Sequence, residues 1–346
     1  MESLNKALYP ATSPFPSPTS PWTEDWKTEL RTAFTQPRDL LATLGLDPAL
    51  ANAEAGRQFA FLVPRGFARR MKAGDPNDPL LRQVLPLAAE LEPQPGYSTD
   101  PVGDGKARRA RGLLQKYQGR ALLVITGACA LHCRYCFRRH FPYAADCLIH
   151  DPDQTALRAI AQDQTIREVV LSGGDPLMVD DAYLASLFAS LASLPHVRRI
   201  RLHTRLPVVL PSRVTRGLVS LLANCARPVL VVIHANHARE LSCPQVQVAL
   251  EALKRTQATL LNQSVLLRGV NDDPACLAEL SEGLFAAGVL PYYLHLLDTV
   301  AGAGHYEVPD PEARAIMTQL RARLPGYLVP RLVRELPGHG YKQQVA

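Results

Sequence analysis

Three of the seven cysteines stand close together, in Cys129-Ala-Leu-His-Cys133-Arg-Tyr-Cys136, with the spacing C-x-x-x-C-x-x-C. Three thiolates from one short loop can ligate three corners of a four-iron cluster and leave the fourth iron open. An open metal position is a place for chemistry rather than a structural staple. A structural zinc would want a fourth ligand. His132 and His140 stand nearby, but neither gives the usual paired spacing. The other four, Cys147, Cys225, Cys243 and Cys276, are scattered, and an odd total is not a disulfide framework.

Two further segments could carry chemistry. In Ser172-Gly173-Gly174-Asp175, paired glycines would let the backbone approach a ligand and present its N–H groups, although an ordinary tight strand-to-helix turn would read the same way. Near the end stands Arg334-Glu335-Leu336-Pro337-Gly338-His339-Gly340-Tyr341-Lys342. A lysine there is usually a solvated charge, but the Pro-Gly-x-Gly stretch could fold the tail inward. A reactive lysine needs its pKa lowered by burial and neighbouring charge.

The elements that must position these residues form a regular alternation. Apolar, β-prone runs stand at 121–126, 168–171, 199–203, 228–233, 259–265 and 290–297. Helix-like stretches follow at roughly 153–163, 181–193, 211–223, 243–256, 274–287 and 310–323. Strands alternating with helices predict an α/β fold with a parallel sheet covered on both faces. Six units are too few for an eight-stranded barrel, so the expected architecture is a partial, open (β/α)6 barrel over 115–335. Its chemistry should lie at the carboxyl ends of the strands, where the cysteine and glycine motifs fall. The region 22–114 is expected to be mainly helical, from the capping-box-like start Trp22-Thr-Glu-Asp-Trp26, with loops and short helices over 74–111. Residues 1–21 are expected to form a disordered tail and 336–346 a C-terminal loop carrying the lysine.

Hydrophobic residues make up 47% of the 346 and charged residues 20%, an ordinary globular balance. No apolar run is long enough to span a membrane, and the Pro- and Ser-rich start has no secretory h-region, so a cytoplasmic location is expected. The net charge of +6 is spread along the chain without interleaved aromatics, which argues against nucleic-acid binding.

Cys129, Cys133 and Cys136, with the aromatic Tyr135 before the last, resemble the signature of the radical S-adenosylmethionine superfamily. The resemblance implies a [4Fe-4S] cluster on the three cysteines and S-adenosylmethionine chelated at the open iron. It places Tyr135 near the adenine and Ser172, Gly173, Gly174 and Asp175 in S-adenosylmethionine binding. Over most of residues 60–342 the chain also resembles the lysine 2,3-aminomutases. That likeness implies Lys342 as the catalytic lysine holding pyridoxal 5′-phosphate as a Schiff base. It also implies Lys116, Tyr117 and Arg120 around the cofactor phosphate and Gln263 touching the cofactor. Arg138 would bind the carboxylate of lysine, and Asp298 and Glu335 its ε-ammonium. His234, Asn236 and His237 read as structural.

Two departures stand out. The family commonly has Asp where this chain has Glu335, and the clostridial type carries a C-terminal zinc-binding cysteine extension not found in this sequence. The chain resembles a bacterial branch whose β-lysine product is attached by a partner ligase to elongation factor P. An electron donor such as flavodoxin or ferredoxin is implied. Three alternatives fit the same residues: an aminomutase for another amino acid or pathway, a radical enzyme without pyridoxal phosphate, and a non-catalytic zinc protein that binds nucleic acid. Asp298 and Glu335 argue for a cationic substrate end, against glutamate.

Overall fold

The computed structural model describes residues 25–346. The expected 1–21 tail, with Trp22 to Glu24, lies outside them. Ten strands pair in chain order: β1 (Arg108–Ala110), β2 (Leu113–Leu114), β3 (Arg120–Val124), β4 (Glu168–Ser172), β5 (Arg199–Thr204), β6 (Val229–Ile233), β7 (Thr259–Val265), β8 (Leu290–His295), β9 (Arg331–Arg334) and β10 (Gln343–Gln344). Neighbours from β3 to β9 run parallel, whereas β1, β2 and β10 are antiparallel additions at the two edges. The six expected strands are thus β3 to β8. The short hairpin before β3 and the strand after the last helix lengthen the sheet at both ends, because each can pair with an exposed edge.

Among the described residues seven α-helices follow β3, counting the single turn α8 (Leu206–Val209), and five precede it. The crossover helices are α6 (Thr155–Gln162), α7 (Asp181–Ala192), α9 (Arg216–Ala223), α10 (Pro244–Lys254), α11 (Pro274–Ala286) and α12 (Asp310–Arg323). Several of their starts are fixed by local chemistry. The Asp180 carboxylate accepts the Tyr183 N–H, Thr215 accepts that of Leu218, and Asp273 accepts those of Ala275 and Cys276. Pro274 then opens α11, where its missing N–H costs nothing. Helix α7 buries Leu184, Leu187, Phe188 and Leu191 against the sheet, the spacing of one helical face.

The strands divide their residues between two faces. On β5, Ile200, Leu202 and Thr204 are buried, while Arg201 and His203 line an internal cavity. Residues of β3, β4, β5, β7 and β8, and His234 directly after β6, all border that one cavity, so the sheet curls around it as a partial barrel. No pairing joins β1 to β10 among the described residues, and the barrel stays open along one seam. A register shift between Asn262 and Gln263 opposes an extra residue of β8 to β7. Both Tyr292 and Tyr293 then line the cavity, with ring centroids 3.8 Å apart.

The N-terminal region does more than precede the barrel. Its helices α1 (Trp26–Arg31), α2 (Pro37–Thr43), α3 (Ala53–Gln58), α4 (Arg65–Ala68) and α5 (Pro79–Arg82) contribute Trp26, Leu40, Phe67 and Leu80 to the same core as Leu171 and Leu202. This region also braces the cysteine loop. Arg134, wholly buried, donates to Glu90 at 2.8 and 2.6 Å, to the Ala55 carbonyl at 2.9 Å and to the Phe59 carbonyl at 2.7 Å. Arg139 adds a second guanidinium to Glu90 at 2.9 Å. Two buried cations thus share one carboxylate. Removing it leaves both uncompensated, which costs on the order of 3–5 kcal/mol. Glu90→Gln is expected to lower unfolding free energy by about that amount in urea titration; a loss below about 1 kcal/mol would show that Glu90 does not hold the loop.

Candidate active site

The cavity has a volume of about 500 Å³ and collects residues from both ends of the chain. Cys129, Cys133, Cys136, Tyr135 and Arg138 come from the loop after β3; Ser172, Gly173, Gly174 and Asp175 from the end of β4; and Gln263 from β7. Asp298 follows β8, Glu335 follows β9, and Lys342 precedes β10. Lys116, Tyr117 and Arg120, between β2 and the start of β3, line it as well. All the residues singled out from the sequence for chemistry border one space.

The cysteine loop and the glycine loop are locked together by backbone. Gly174 N–H donates to the Thr126 carbonyl at 2.7 Å and Asp175 N–H to the Ala128 carbonyl at 2.8 Å. A Cβ on Gly173 would stand 2.5 Å from the Thr126 oxygen, and one on Gly174 would stand 2.3 Å from the Ala128 oxygen. Gly173 has φ +133°, open only to glycine at low cost. The glycines therefore let the two loops meet, and both also line the cavity. Asp175 is likewise occupied: Thr204 Oγ1 donates to it at 2.8 and 2.9 Å, Arg205 N–H at 2.7 Å and Leu177 N–H at 3.0 Å. Its carboxylate ties the glycine loop to the end of β5.

The three thiols fit a cluster by their surroundings. Burial first, then the neighbouring Cys136, Asp175 and Cys133, push the Cys129 thiol well up. Burial and Cys133 push Cys136 to about 11. Buried, mutually repelling thiols become thiolates only against concentrated positive charge, which a four-iron cluster supplies. Arg205 adds a guanidinium at 2.6 Å from Cys133 Sγ and is itself held by Glu240 at 2.9 Å. Among the described residues no three His, Cys, Asp or Glu side chains converge as the ligands of a single ion would. Tyr135 is fixed through its hydroxyl, which accepts from Asn236 Nδ2 at 2.7 Å and donates to Gln83 Oε1 at 3.3 Å. Asn236 is structural, as expected, and so is His237, whose Nδ1 accepts the Arg239 N–H at 3.1 Å.

Another part of the lining is ionic. Arg138 Nε donates to Asp104 Oδ2 at 2.7 Å and Arg138 Nη1 to Ser172 Oγ at 3.1 Å. Asp104 Oδ1 lies 2.6 Å from Lys116 Nζ, which lies 2.9 Å from Glu335 Oε1. Glu335 Oε2 pairs with Lys342 Nζ. Lys116, expected beside a phosphate, has its ammonium between two carboxylates. The remaining cation of that group, Arg120, packs over the Tyr117 ring at 4.6 Å. Burial would raise Glu335, but Lys342 and Lys116 outweigh it and bring it down to about 2. Asp298 lacks such close partners, and burial raises it to about 7 despite Lys342.

His203, His234 and His295 project from β5, the end of β6 and β8 into the cavity, with Gln263 between them. Gln263 Nε2 meets His234 Nε2 and lies 3.3 Å from His203 Nδ1. Burial above all lowers the three histidines, His234 to about 3, so they are neutral donors and acceptors. His234, read as structural from sequence, belongs to this wall. His203 Nε2 is buried without a hydrogen-bond partner, the kind of atom a polar ligand satisfies. An amine at Lys342, an arginine at Arg120 and this orphaned nitrogen fit an aldehyde cofactor bearing a phosphate.

An open α/β barrel with a three-cysteine loop after its first parallel strand defines a radical S-adenosylmethionine protein, and residues 123–275 match the radical SAM superfamily. The chain belongs to the lysine 2,3-aminomutase family within it. It is 48% identical over 326 residues to the L-lysine 2,3-aminomutase of Escherichia coli strain K12, covering 93% of this chain and 95% of that one. Identity to the Haemophilus influenzae protein of the same name is 44%, over 92% of this chain and 95% of that one. To that of Clostridium subterminale it is 33%, over 93% and 77%. Its cofactors are accordingly a [4Fe-4S] cluster, S-adenosylmethionine and pyridoxal 5′-phosphate.

Two outcomes are expected. Alanine at Cys129, Cys133 or Cys136 abolishes cluster iron, whereas alanine at Cys225 or Cys243, away from the cavity, leaves it; a triad variant with full iron content would overturn the ligand set. Asp298, raised to about 7, gains its charge as pH rises through that value. Binding of an ammonium ligand should therefore strengthen from pH 6 to pH 8, by about tenfold at most for one ionising group, and Asp298→Asn should flatten this dependence in calorimetric titration. An unchanged profile in the variant would remove Asp298 from the ammonium site.

Proposed function

We propose that this protein is an isomerase that converts (S)-α-lysine to (R)-β-lysine. The observation that carries this reading is one cavity beside the cysteine loop that gathers Arg138, Asp298, Glu335 and Lys342, with Lys342 against Glu335. A planar guanidinium suits a carboxylate, and two carboxylates suit a terminal ammonium. The named relatives act as lysine 2,3-aminomutases, which supports the substrate.

The cluster with S-adenosylmethionine supplies one-electron chemistry that yields a carbon radical, and pyridoxal phosphate supplies a carbonyl for the amine and a π-system over which spin can spread. The chain supplies position. Cys129, Cys133 and Cys136 would hold the cluster, and the locked glycine loop keeps the wall beside it rigid. Lys342, with its Nζ at Glu335, would hold the aldehyde. Tyr292 and Tyr293 form an apolar wall that keeps water from the reacting centre. The three neutral histidines and Gln263 can hydrogen-bond a ligand without adding charge.

We further infer that the β-lysine serves the modification of elongation factor P through a partner ligase, and that a flavodoxin or ferredoxin supplies the electron. The likeness to the bacterial branch of the family supports both. No described helix is long and apolar enough to cross a membrane, in keeping with the cytoplasmic location such partners require.

Anaerobic protein reconstituted with iron and sulfide, then given the two cofactors and a reductant, should convert L-lysine to β-lysine; no product from L-lysine would refute the function. Lys342→Ala should lose the Schiff-base absorbance and all turnover while keeping its iron. Lys342→Arg should not rescue it, because a guanidinium stays charged and forms no imine. Borohydride labelling of another lysine with Lys342 unmodified would refute its role.

A further inference from the structure

Asp104 carries no motif, yet it stands at the centre of the ionic wall. It is 2% exposed, and each of its oxygens meets a different cation. Oδ2 accepts from Arg138 Nε at 2.7 Å, and Oδ1 lies 2.6 Å from Lys116 Nζ. Lys116 reaches on to Glu335 Oε1 at 2.9 Å. Burial would raise the Asp104 carboxyl, but Arg138 and Lys116 outweigh it and hold it below the usual carboxylate range. Its loop is fixed from within: Asp100 accepts the N–H groups of Asp104 at 2.8 Å and Gly105 at 3.0 Å. Gly103, at φ +69°, packs so closely on Pro337 that an added Cβ would stand 3.3 Å from that ring. The loop thus touches the segment leading to Lys342.

The geometry of Arg138 shows what this arrangement does. Its guanidinium lies near the rings of Phe137 and Phe141, with Cζ 4.9 and 5.7 Å from their centroids. Asp104 takes the Nε–H, and Ser172 takes one proton of Nη1. The end-on edge between Nη1 and Nη2 is left to grip a carboxylate in bidentate fashion. Without Asp104 the fork could rotate about its side chain, and Lys116 would lose one of its two carboxylates.

We propose that Asp104 is a positioning residue for both ends of the substrate: it aims Arg138 at the α-carboxylate and, through Lys116, holds Glu335 for the terminal ammonium. This rests on the function proposed above. Asp104 itself touches neither the reacting atoms nor, on this reading, the substrate. It sets the separation between the two anchors, and so selects for the length of the ligand.

The test uses the full-length protein with reconstituted cluster and both cofactors. Two inhibitors of L-lysine turnover each report one end: norleucine has the carboxylate without the terminal ammonium, and cadaverine has the ammonium without the carboxylate. In Asp104→Asn the KM for lysine should rise by roughly tenfold or more, the scale of losing one partner from a buried charge pair, and kcat should fall by a smaller factor. Both inhibitors should weaken, while iron content and cofactor absorbance stay at wild-type levels. Asp104→Glu, which restores the charge one methylene further out, should recover part of the lysine KM. A purely structural carboxylate would change melting and cofactor content but not both inhibition constants. If the KM of Asp104→Asn stays within about twofold of wild type, or only one inhibitor weakens, the proposal is overturned. Should the Asn variant lose iron, Asp104→Glu decides by the same inhibition constants, and unchanged values overturn the proposal. If wild-type enzyme does not turn over lysine, the function falls first and this proposal with it; wild-type turnover with unaltered variant constants removes Asp104 alone.

Discussion

A sheet that curls without closing has to be fastened along its seam, and here the fastening is ionic. On one side stands Lys116, between β2 and β3; on the other stands Glu335, directly after β9. Asp104 and Lys342 extend the row in both directions. Backbone pairing would have closed the cavity with groups that can do little else. Charged side chains hold the two edges near each other and remain able to recognise ions. The cost is desolvation, which a buried pair recovers only when its oxygens and protons are satisfied. The alternation of sign along the row supplies that satisfaction. It also explains why the two carboxylates differ: Glu335 lies in the row and stays ionised, whereas Asp298 lies beside it and is raised to about 7.

A second constraint concerns the cysteine loop, where rigidity comes from two directions. From below, the glycine loop meets it backbone to backbone, at distances no side chain would allow. From the side, Arg134 reaches into the N-terminal helices and Glu90. Arg134 lies between two cluster cysteines in sequence but points the other way, into protein. A loop that puts its cysteines into the cavity and Arg134 into the protein in this way cannot shift one set without the other. The floor of the cavity follows a different rule: neutral histidines and Gln263 offer hydrogen bonds without further charge.

Much of this was legible in the sequence, for physical reasons. Strands β3 to β8 announce themselves as apolar runs because a parallel sheet is buried on both faces, and their helices begin at Asp and Thr caps that satisfy free N–H groups. The cysteine spacing is local, so it reads directly. Strand β9 and the hairpin β1–β2 were missed as strands because they are short and polar or interrupted, and they exist through pairing with a distant edge. Asp104 was missed because nothing next to it in sequence explains a buried carboxylate; its partners lie at Lys116 and Arg138. His203 and His295 escaped because each stands near the end of a strand and only the curvature of the sheet shows that it faces the cavity. Lys116 was placed by resemblance in the right cavity, but its ammonium lies among carboxylates.

The seam also joins the two ends of the chain. The N-terminal helices that receive Arg134, and the strands that carry the cysteine and glycine loops, precede β9 and Lys342 in the chain. The cysteine loop and the helices that brace it therefore belong to the first half of the chain, whereas Glu335 and Lys342 stand at its last strands. The cavity is complete only when the two ends of the chain meet at the ionic row.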